Sequence, residues 1–463
     1  MGETASWWLA GARAELALFA SIGFLLFGIE HLLFDWLWLG RTGWRAATVY
    51  RRHDRATMAT LAPPVAPGRF AVLIGAWDES AVIAQTLTTA LHRWDTADYR
   101  IYVATYPNDT ATIAAIESVR SRSLWATAHL RIVPGDRPGP TTKAEALNRA
   151  FTAMTVDEAA TGRRYKGIVL HDAEDFVSPH ELALFDVLIE RFALVQIPVR
   201  PLKRPGHPGI AGHYLDEFAE AHGLQLAIRE AIGASVPCAG TGCAIARATM
   251  TALADQRGGA PFDADSLTED YEMGLRIGRL GGRGIMARLR DRPGGQLVAV
   301  EAYFPHRGLA AVRQKARWVT GIALAGWDRI GWHGGIRETW MRLRDRSAPL
   351  AAAVLAAGYA AFLLALIETG FAWAEGRQGP ILLEIRSPMG MALYVLLLWR
   401  LAMRALLVGR LYGPGEALRS MPRIVVSNLV AIAATTRALW RYVAGGPPRW
   451  EKTAHSLPDD PPA

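Results

Sequence analysis

Three stretches of this chain are so long and so apolar that they limit what it can fold into more than any other feature. They cover residues 16–39, 348–371 and 389–408. A helix needs roughly 20 mostly apolar residues to cross the hydrocarbon core of a bilayer, and each stretch is long enough. The first is too long and too aromatic at its end for a cleaved signal peptide. The sequence therefore predicts a multi-pass membrane protein.

The charges around these stretches predict their orientation. Five arginines fall within residues 41–55, directly after the first stretch, whereas residues 1–6 contain no lysine or arginine. Loops rich in these residues remain on the cytosolic side. We therefore expect residues 41–345 to lie in the cytosol. The basic runs behind the net charge of +8 coincide with the flanks of the spans, so nucleic-acid binding is not expected.

This pattern divides the chain into four segments. Residues 1–40 form an N-terminal transmembrane helix, residues 41–345 a cytosolic domain, residues 346–411 two transmembrane helices, and residues 412–463 the C-terminal part. In the last segment, residues 423–443 are basic at both ends and interrupted by polar side chains, which favours an amphipathic helix lying in the interface. A fourth span is the alternative. The Pro-rich tail that follows is expected to be irregular.

The cytosolic segment alternates between two kinds of pattern. Short apolar runs typical of strands occupy residues 69–77, 99–107, 130–135 and 165–173. Helical patterns separate them at residues 79–94, 110–122 and 141–154. Such alternation predicts βαβ units and a mostly parallel, Rossmann-like α/β sheet.

The cysteines and one histidine are predicted to be structural. Cys238 and Cys243 are the two cysteines of the chain and lie among small apolar residues, so we expect buried, unreactive thiols. His171 ends the fourth predicted strand, where a hydrogen-bonded histidine is more typical than a metal ligand. No histidine and cysteine set suited to zinc is apparent.

Three acids, Asp172, Glu174 and Asp175, crowd directly behind the fourth predicted strand. Carboxylates repel one another and stay clustered where a cation offsets the repulsion. A divalent metal at the carboxyl end of a strand would do so, because open α/β sheets bind their ligands there. The alternative is a helix start at Ser178 and Pro179. Taken alone, the stretch leaves both interpretations open.

Further polar residues follow the other predicted elements. Asp78 and Glu79 come after the first strand and Asp109 after the second. The remaining candidates are Lys143 in "GPTTKAEALN", Glu269 and Asp270 in "TED", and Gln314, Arg317 and Trp318 in "QKARW". Each has a structural explanation when taken alone, as a turn residue, a helix cap or an anchor at the membrane interface.

Taken in this order, the motifs resemble those of the membrane-bound family 2 glycosyltransferases, the group that contains cellulose, chitin and hyaluronan synthases. The stretches "ATYPND", "LHDAEDFVSPHEL" and "WEKTAH" are similar to the bacterial phage-adsorption protein B branch, which makes a surface or secreted polysaccharide. The resemblance implies a GT-A α/β domain combined with transmembrane helices. One departure is a D-x-E metal motif in place of D-x-D. Larger members of the branch carry a further C-terminal regulatory domain, and regulation through such a domain is not expected here.

The resemblance also implies how the donor would be held. The donor would be a nucleotide sugar, most simply UDP-linked. Asp78 and Asp109, with Glu79 beside them, would hold uracil and ribose, and Lys143 would contact the nucleotide or its diphosphate. Mg²⁺ or Mn²⁺ would be held by the metal motif, Asp172 and Glu174.

For the chemical step, the resemblance implies one in-line displacement with inversion. Asp270 would act as the general base that accepts the proton of the acceptor hydroxyl. The Q-x-x-R-W motif supplies Gln314 and Arg317, and the arginine would stabilise the departing diphosphate. Trp318 would offer a flat face to the acceptor sugar.

The partners and rival functions follow from the same comparison. We expect a nucleotide-sugar donor, a glycan acceptor and the lipid bilayer. Three spans are few for a polymer conduit, so a secretion partner protein or a homo-oligomer would complete it. One alternative is transfer of a single sugar to a polyprenyl phosphate lipid. The other is a membrane receptor or export scaffold without catalytic activity.

Ionisable residues within the predicted spans give one further expectation. The first span contains Glu30, His31 and Asp35, and the third contains Arg400 and Arg404. Such groups usually face the helix bundle and pair with one another. Their depths from the cytosolic ends predict the pairs Asp35–Arg404 and Glu30–Arg400.

Overall fold

A computed structural model describes residues 3–380, 386–445 and 455–458 of the 463-residue chain. The helices are α1 (Glu3–Thr48), α2 (Ile83–Arg93), α3 (Thr110–Arg120), α4 (Leu124–His129), α5 (Lys143–Thr161), α6 (Glu181–Leu188), α7 (Ile210–Glu220), α8 (Leu226–Ala231), α9 (Arg247–Asp255), α10 (Glu269–Arg279), α11 (Gly308–Val319), α12 (Ala325–Ile330), α13 (Ile336–Arg346), α14 (Ala348–Ala374), α15 (Pro388–Tyr412), α16 (Pro414–Ser420) and α17 (Arg423–Ala444). The strands are β1 (Phe70–Gly75), β2 (Tyr99–Thr105), β3 (Leu130–Pro134), β4 (Gly167–His171), β5 (Leu194–Gln196), β6 (Val199–Pro201), β7 (Cys243–Ala246), β8 (Gly284–Met286) and β9 (Val300–Ala302). Short π-helical segments extend α7 and α11 over Ala221–Gln225 and Thr320–Leu324.

Seven strands form one sheet in the order β3-β2-β1-β4-β7-β5-β8. The strands are parallel except for β7, which runs antiparallel to β4 and β5. In register, Val72 of β1 lies between Ile101 and Val169 of its neighbours. The carboxyl ends of β1, β2 and β4 therefore meet at one edge, and the predicted mostly parallel α/β sheet is confirmed.

The strands are buried because helices cover both faces of the sheet. Every residue of β1 and β4 is buried, which explains their continuous apolar runs. One face packs with Ile83 and Leu87 of α2. The other packs with Leu147 of α5 and Met250 of α9. A rigid, two-sided core thus fixes the edge where the strands end.

Three helices are long and apolar enough to cross a membrane, over Trp7–Thr48, Ala348–Ala374 and Pro388–Tyr412. These confirm the three predicted spans and extend beyond each of them. The helix α1 packs on α14 and α15, and a methyl group at Gly23 would collide with Val354 of α14. Small residues at such contacts let the backbones of spanning helices approach closely.

The helix predicted at residues 423–443 is present as α17. Its buried small side chains, among them Ala434 and Ala438, pack beside Ala316 of α11. Helices α16 and α17 are bent by 52° and together are long and apolar enough for one broken span. The interfacial position and the fourth span therefore both remain predictions. Residues 446–454 and 459–463 of the tail lie outside the described residues.

The predicted ion pairs between the first and third spans are wrong. The observed partners are Arg344 for Glu30, the indole N–H of Trp399 for Asp35, Glu220 for Arg400 and Asp216 for Arg404. The reason is α7, a helix of the α/β domain that packs on α15 and brings its own carboxylates. The arginines therefore face the protein, as expected, but they join the span to the domain.

Candidate active site

A cleft of about 1340 Å³ opens at the carboxyl edge of the sheet. Its walls come from the ends of β1 and β4, the starts of α5 and α10, and one face of α11. Eight of the predicted site residues line it: Glu79, Lys143, Asp172, Glu174, Asp270, Gln314, Arg317 and Trp318. Residues that are far apart in sequence thus meet because their strands and helices end at the same edge.

Asp78 and Asp109 lie beside the cleft and are not among its lining residues. The carboxylate of Asp109 caps α3 by accepting from the backbone N–H of Thr112, and it also accepts from the backbone N–H of Asp78 at 2.5 Å. Asp78 itself is exposed and has φ 55°, a strained backbone for a non-glycine residue. Asp109 therefore fixes the loop that presents Asp78. Their contacts with uracil and ribose remain a prediction.

The third acid of the cluster, Asp175, is structural. It is buried and accepts hydrogen bonds from the backbone N–H of Asp172 at 2.7 Å and from the hydroxyl of Thr241. The ring nitrogens of His171 contact Asp175 at 3.1 Å and Glu181 at 2.7 Å. Burial alone would lower the pKa of His171, but Glu181 and Asp175 raise it to about 10. His171 is thus a satisfied strand-end histidine, as predicted, and it holds the turn that presents Asp172.

Asp172 faces a lysine at the start of α5. The ammonium group of Lys143 forms an ion pair with Asp172 and lies 3.4 Å from the carbonyl oxygen of Gly240. Burial would lower the pKa of Lys143, but Asp172, Glu269 and Asp270 outweigh burial and raise it. Lys143 is therefore a fixed positive charge on the floor of the cleft.

Glu174 faces a histidine from the C-terminal tail. The Nε2 atom of His455 lies 3.2 Å from Glu174, and its Nδ1 atom lies 3.1 Å from both carboxylate oxygens of Glu79. Burial raises the pKa of Glu174. The two carboxylates raise the pKa of His455 to about 9, against the effect of its burial. The buried Glu79 and the half-buried Glu174 therefore share one cationic partner.

These three side chains could hold a metal ion. Glu79, Glu174 and His455 each offer one ligand atom, and these atoms lie within 4.8 Å of one another. Carboxylate oxygens with an imidazole nitrogen suit Mn²⁺ and, with more oxygen ligands, Mg²⁺. The residues present fit a divalent cation. Of the two predicted ligands, Glu174 belongs to this cluster and Asp172 is engaged with Lys143.

Sequence reasoning missed His455. The signal that could have found it is the stretch "WEKTAH" in the tail, which ends at His455. This stretch is similar to the phage-adsorption protein B branch, but the sequence analysis assigned no role to its histidine. The tail segment is fastened at two further points, where Arg204 donates to the hydroxyl of Ser456 at 2.7 Å and Gln85 donates to the carbonyl oxygen of Pro458 at 3.3 Å. His455 is thus held across the mouth of the cleft.

The predicted base, Asp270, lies on the opposite wall at the start of α10. Its carboxylate accepts from the backbone N–H of Tyr271 at 2.7 Å. Gly240, at φ +76°, faces it so closely that a methyl group there would collide with the carboxylate. Burial raises the pKa of Asp270, and burial together with Asp270 raises the pKa of Glu269 to about 7. A carboxylate with a raised pKa is a better proton acceptor near neutral pH.

The motif residues of α11 occupy one face of the helix, because positions three and four apart are neighbours on a helix surface. The buried Oε1 atom of Gln314 has no hydrogen-bond partner among the described residues. Arg317 acts electrostatically on Asp270. The indole of Trp318 is held edge-on by Tyr214 and Phe218, with ring centroids 6.4 Å away. This face of α11 therefore presents the guanidinium of Arg317, the unpartnered amide oxygen of Gln314 and the fixed indole of Trp318 to the cleft.

Comparison with known proteins identifies the class. Residues 67–321 match the model of the glycosyltransferase like family 2. The match covers more than half of the chain, and the chain belongs to this family. The predicted resemblance is confirmed.

Two curated relatives are the bacteriophage adsorption protein B of Escherichia coli strain K12 and the bacteriophage N4 adsorption protein B of E. coli O157:H7. The chain is 34% identical to each over 479 residues, which cover 97% of this chain and 63% of each relative. The chain thus spans less than two thirds of the length of these relatives.

A solved structure shares the fold. It is a mannosyltransferase from Pyrobaculum calidifontis in complex with GDP-Man and Mn²⁺, with a TM-score of 0.52, 19% sequence identity, and coverage of 93% of this chain and 99% of the other. The likeness confirms the predicted GT-A α/β fold. The family match, together with three helices long and apolar enough to cross a membrane, makes this chain a family 2 glycosyltransferase with candidate membrane spans.

Proposed function

We propose that the protein is an inverting, metal-dependent glycosyltransferase of a bacterial inner membrane, with its α/β domain in the cytosol. It would use a UDP-sugar to extend a surface or secreted polysaccharide. The observation that carries the proposal is the cleft itself. It places the cluster of Glu79, Glu174 and His455 opposite Asp270 and the polar face of α11.

The donor would bind at the β1 and β4 side of the cleft. Glu174 and His455, with Glu79 or Asp172, would hold Mg²⁺ or Mn²⁺. When bound, the cation would neutralise charge on the donor diphosphate. Lys143 adds a permanent positive charge beside Asp172. Asp78 is exposed on a loop fixed by Asp109 and would contact the nucleoside.

The chemical step would take place between this side and α10. Asp270 would accept the proton of the acceptor hydroxyl while that oxygen forms a bond to the anomeric carbon. The bond from the same carbon to the diphosphate breaks on the opposite face, so one displacement inverts the configuration. Arg317 would offset the charge that develops on the leaving diphosphate. No nucleophile from the protein is required.

The acceptor would lie along α11. The unpartnered Oε1 atom of Gln314 could accept a hydrogen bond from a sugar hydroxyl. Beyond Trp318, the cleft is lined by Phe218, Tyr303 and Phe304. Aromatic side chains suit packing against sugar rings, which supports a glycan acceptor.

The test is turnover by the purified full-length protein with a panel of UDP-sugars and Mn²⁺, with released UDP and product length as readouts. Asp270→Asn keeps the shape of the side chain and removes the base, so we expect a loss of about 100-fold or more in kcat. The matched control is Asp255→Asn, an exposed aspartate of α9.

Three outcomes would count against the proposal. Full activity of Asp270→Asn would remove the base assignment. Release of UDP with the product fixed at one added sugar would favour transfer to a polyprenyl phosphate. Absence of release with every UDP-sugar, in protein that still binds Mn²⁺, would reject the UDP-sugar assignment.

A further inference from the structure

A cluster of arginines lies on the outside of the α/β domain, away from the cleft. We define the arginine patch as Arg41, Arg55, Arg288, Arg290 and Arg410. They come from the end of α1, the loop after it, the loop after β8 and the end of α15. The loop is held to this place because the backbone N–H of Met58 donates to the carbonyl oxygen of Arg290 at 2.8 Å.

Among the described residues, the members of the patch lack the carboxylate partners that several other arginines of this protein have. Within residues 3–380, 386–445 and 455–458, none of its members forms an ion pair with a carboxylate. By contrast, Arg404 and Arg423 share Asp216, and Arg229 pairs with Asp345.

Like charges therefore remain uncompensated within the patch. Burial lowers the pKa of Arg288, and the other four arginines lower it further. Three more arginines, Arg45, Arg51 and Arg52, belong to the same stretch of chain. The nearby acids are Asp54 in that stretch, Asp291 directly after Arg290, and Glu230, which acts electrostatically on Arg41 and Arg45. The acids are too few to balance the arginines.

The position of the patch identifies what could balance it. Arg41 lies near the end of the span Trp7–Thr48, and Arg410 near the end of the span Pro388–Tyr412. The guanidinium of Arg410 lies 5.3 Å from the ring centroid of Trp38, and Trp44 is 63% exposed on the same end of α1. Tryptophan and arginine at the end of a span are typical of the headgroup layer. Lipid phosphates lie at this level.

We propose that the arginine patch binds the phosphate groups of anionic phospholipids in the leaflet that faces the α/β domain. Charge complementarity and continuity with both spans support this occupant, because basic clusters next to a span attract anionic headgroups. The patch would then anchor α1, α15 and the loop around Arg288 to the same lipids. This binding does not depend on the proposed reaction.

The experiment measures lipid binding to the detergent-purified full-length protein by native mass spectrometry. The probes are dioctanoyl phosphatidylglycerol and the zwitterionic dioctanoyl phosphatidylcholine. We expect the wild type to prefer the anionic lipid by about 10-fold or more, and the preference to weaken in high salt. The patch variant Arg55→Gln/Arg290→Gln/Arg410→Gln should lose most of it.

The control removes the same charge elsewhere. Arg122, Arg164 and Arg191 are exposed, and the triple variant Arg122→Gln/Arg164→Gln/Arg191→Gln should keep the wild-type preference. Equal affinity of the wild type for both lipids would overturn the proposal, as would an unchanged preference in the patch variant. Displacement of the anionic lipid by an equal concentration of inorganic phosphate or UDP would also overturn it, because it would show a site for soluble anions. If the triple variant does not fold, Arg410→Gln alone should lower the preference by about 2-fold or more.

Discussion

The assignment of His455 as a metal ligand gives the most direct prediction. The imidazole contacts Glu174 at 3.2 Å and Glu79 at 3.1 Å, so His455→Ala removes one of the three candidate ligand side chains and leaves the carboxylates of Glu79 and Glu174 without the imidazole between them. Loss of a group that merely supports a ligand weakens metal binding by 10- to 100-fold. For a direct ligand we therefore expect about 100-fold weaker Mn²⁺ binding, or about 2.8 kcal/mol.

The assay is Mn²⁺ titration followed by electron paramagnetic resonance, without any sugar donor, so that it reports the ion alone. Ser456→Ala is the matched control, since it removes the hydroxyl that accepts from Arg204 at 2.7 Å but keeps the imidazole. We expect this variant to bind Mn²⁺ as the wild type does. His455→Glu restores an oxygen ligand and should recover part of the affinity.

Three results would refute this reasoning. If His455→Ala binds Mn²⁺ within about twofold of the wild type, the imidazole is only a cationic partner for Glu79 and Glu174. If Ser456→Ala weakens binding as much as His455→Ala does, anchoring of the tail, and not ligation, is responsible. Weak binding of Mn²⁺ to the wild type as well would remove the metal site altogether.

Two further predictions concern the backbone beside the base and the buried histidine of α7. Gly240→Ala should lower kcat by about 10-fold or more in folded enzyme, because the new methyl group would displace Asp270. Gly258→Ala is the control: Gly258 also has a positive φ, +67°, but has open space around it. This control therefore tests only the backbone strain, about 1 kcal/mol. Burial lowers the pKa of His213 to about 4, where it faces Lys315, Glu217 and Arg404. Below pH 6.5 His213 then binds more protons in the unfolded chain than in the folded protein, so its contribution to the free energy of unfolding should fall by about 2 kcal/mol between pH 7.5 and pH 5. Denaturation of the wild type and His213→Asn at both pH values checks this, and an unchanged pH dependence in the variant would contradict it.

The sequence predicted most of the sheet and the edge of the cleft formed by the ends of β1 and β4, because both depend on local patterns. Apolar runs separated by helical periods predict parallel strands, and polar residues directly after such strands must meet at one edge. That argument placed Asp172 and Glu174 correctly without any knowledge of distances. It also predicted that His171 is hydrogen-bonded, although its partners became visible only in three dimensions.

The rest depended on contacts that no local pattern encodes. His455 is separated from Glu174 by 281 positions, and the tail around it has neither helical nor strand periodicity. The partners of Arg400 and Arg404 were mispredicted because the prediction compared depths in the membrane. Such a comparison can pair residues of two spans, but it cannot find a partner on a helix of the α/β domain. Asp216 and Glu220 sit on a helix of the α/β domain, and their approach to α15 follows from packing alone.

The same helix, α7, links the two halves of the molecule. Towards the cleft, Glu217 forms an ion pair with Lys315, which lies on α11 between Gln314 and Arg317. Towards the membrane, Glu220 accepts from Arg400 at 2.7 Å within a span. Removing one partner of the Arg400–Glu220 pair would leave a largely buried charge uncompensated, whereas the Glu217 side chain is 40% exposed and its pair with Lys315 is partly screened by solvent. The wall of the cleft that carries Trp318 is therefore fixed relative to the spanning helices, while the opposite wall belongs to the sheet. A glycan that lies along α11 would therefore keep a fixed position relative to the membrane helices.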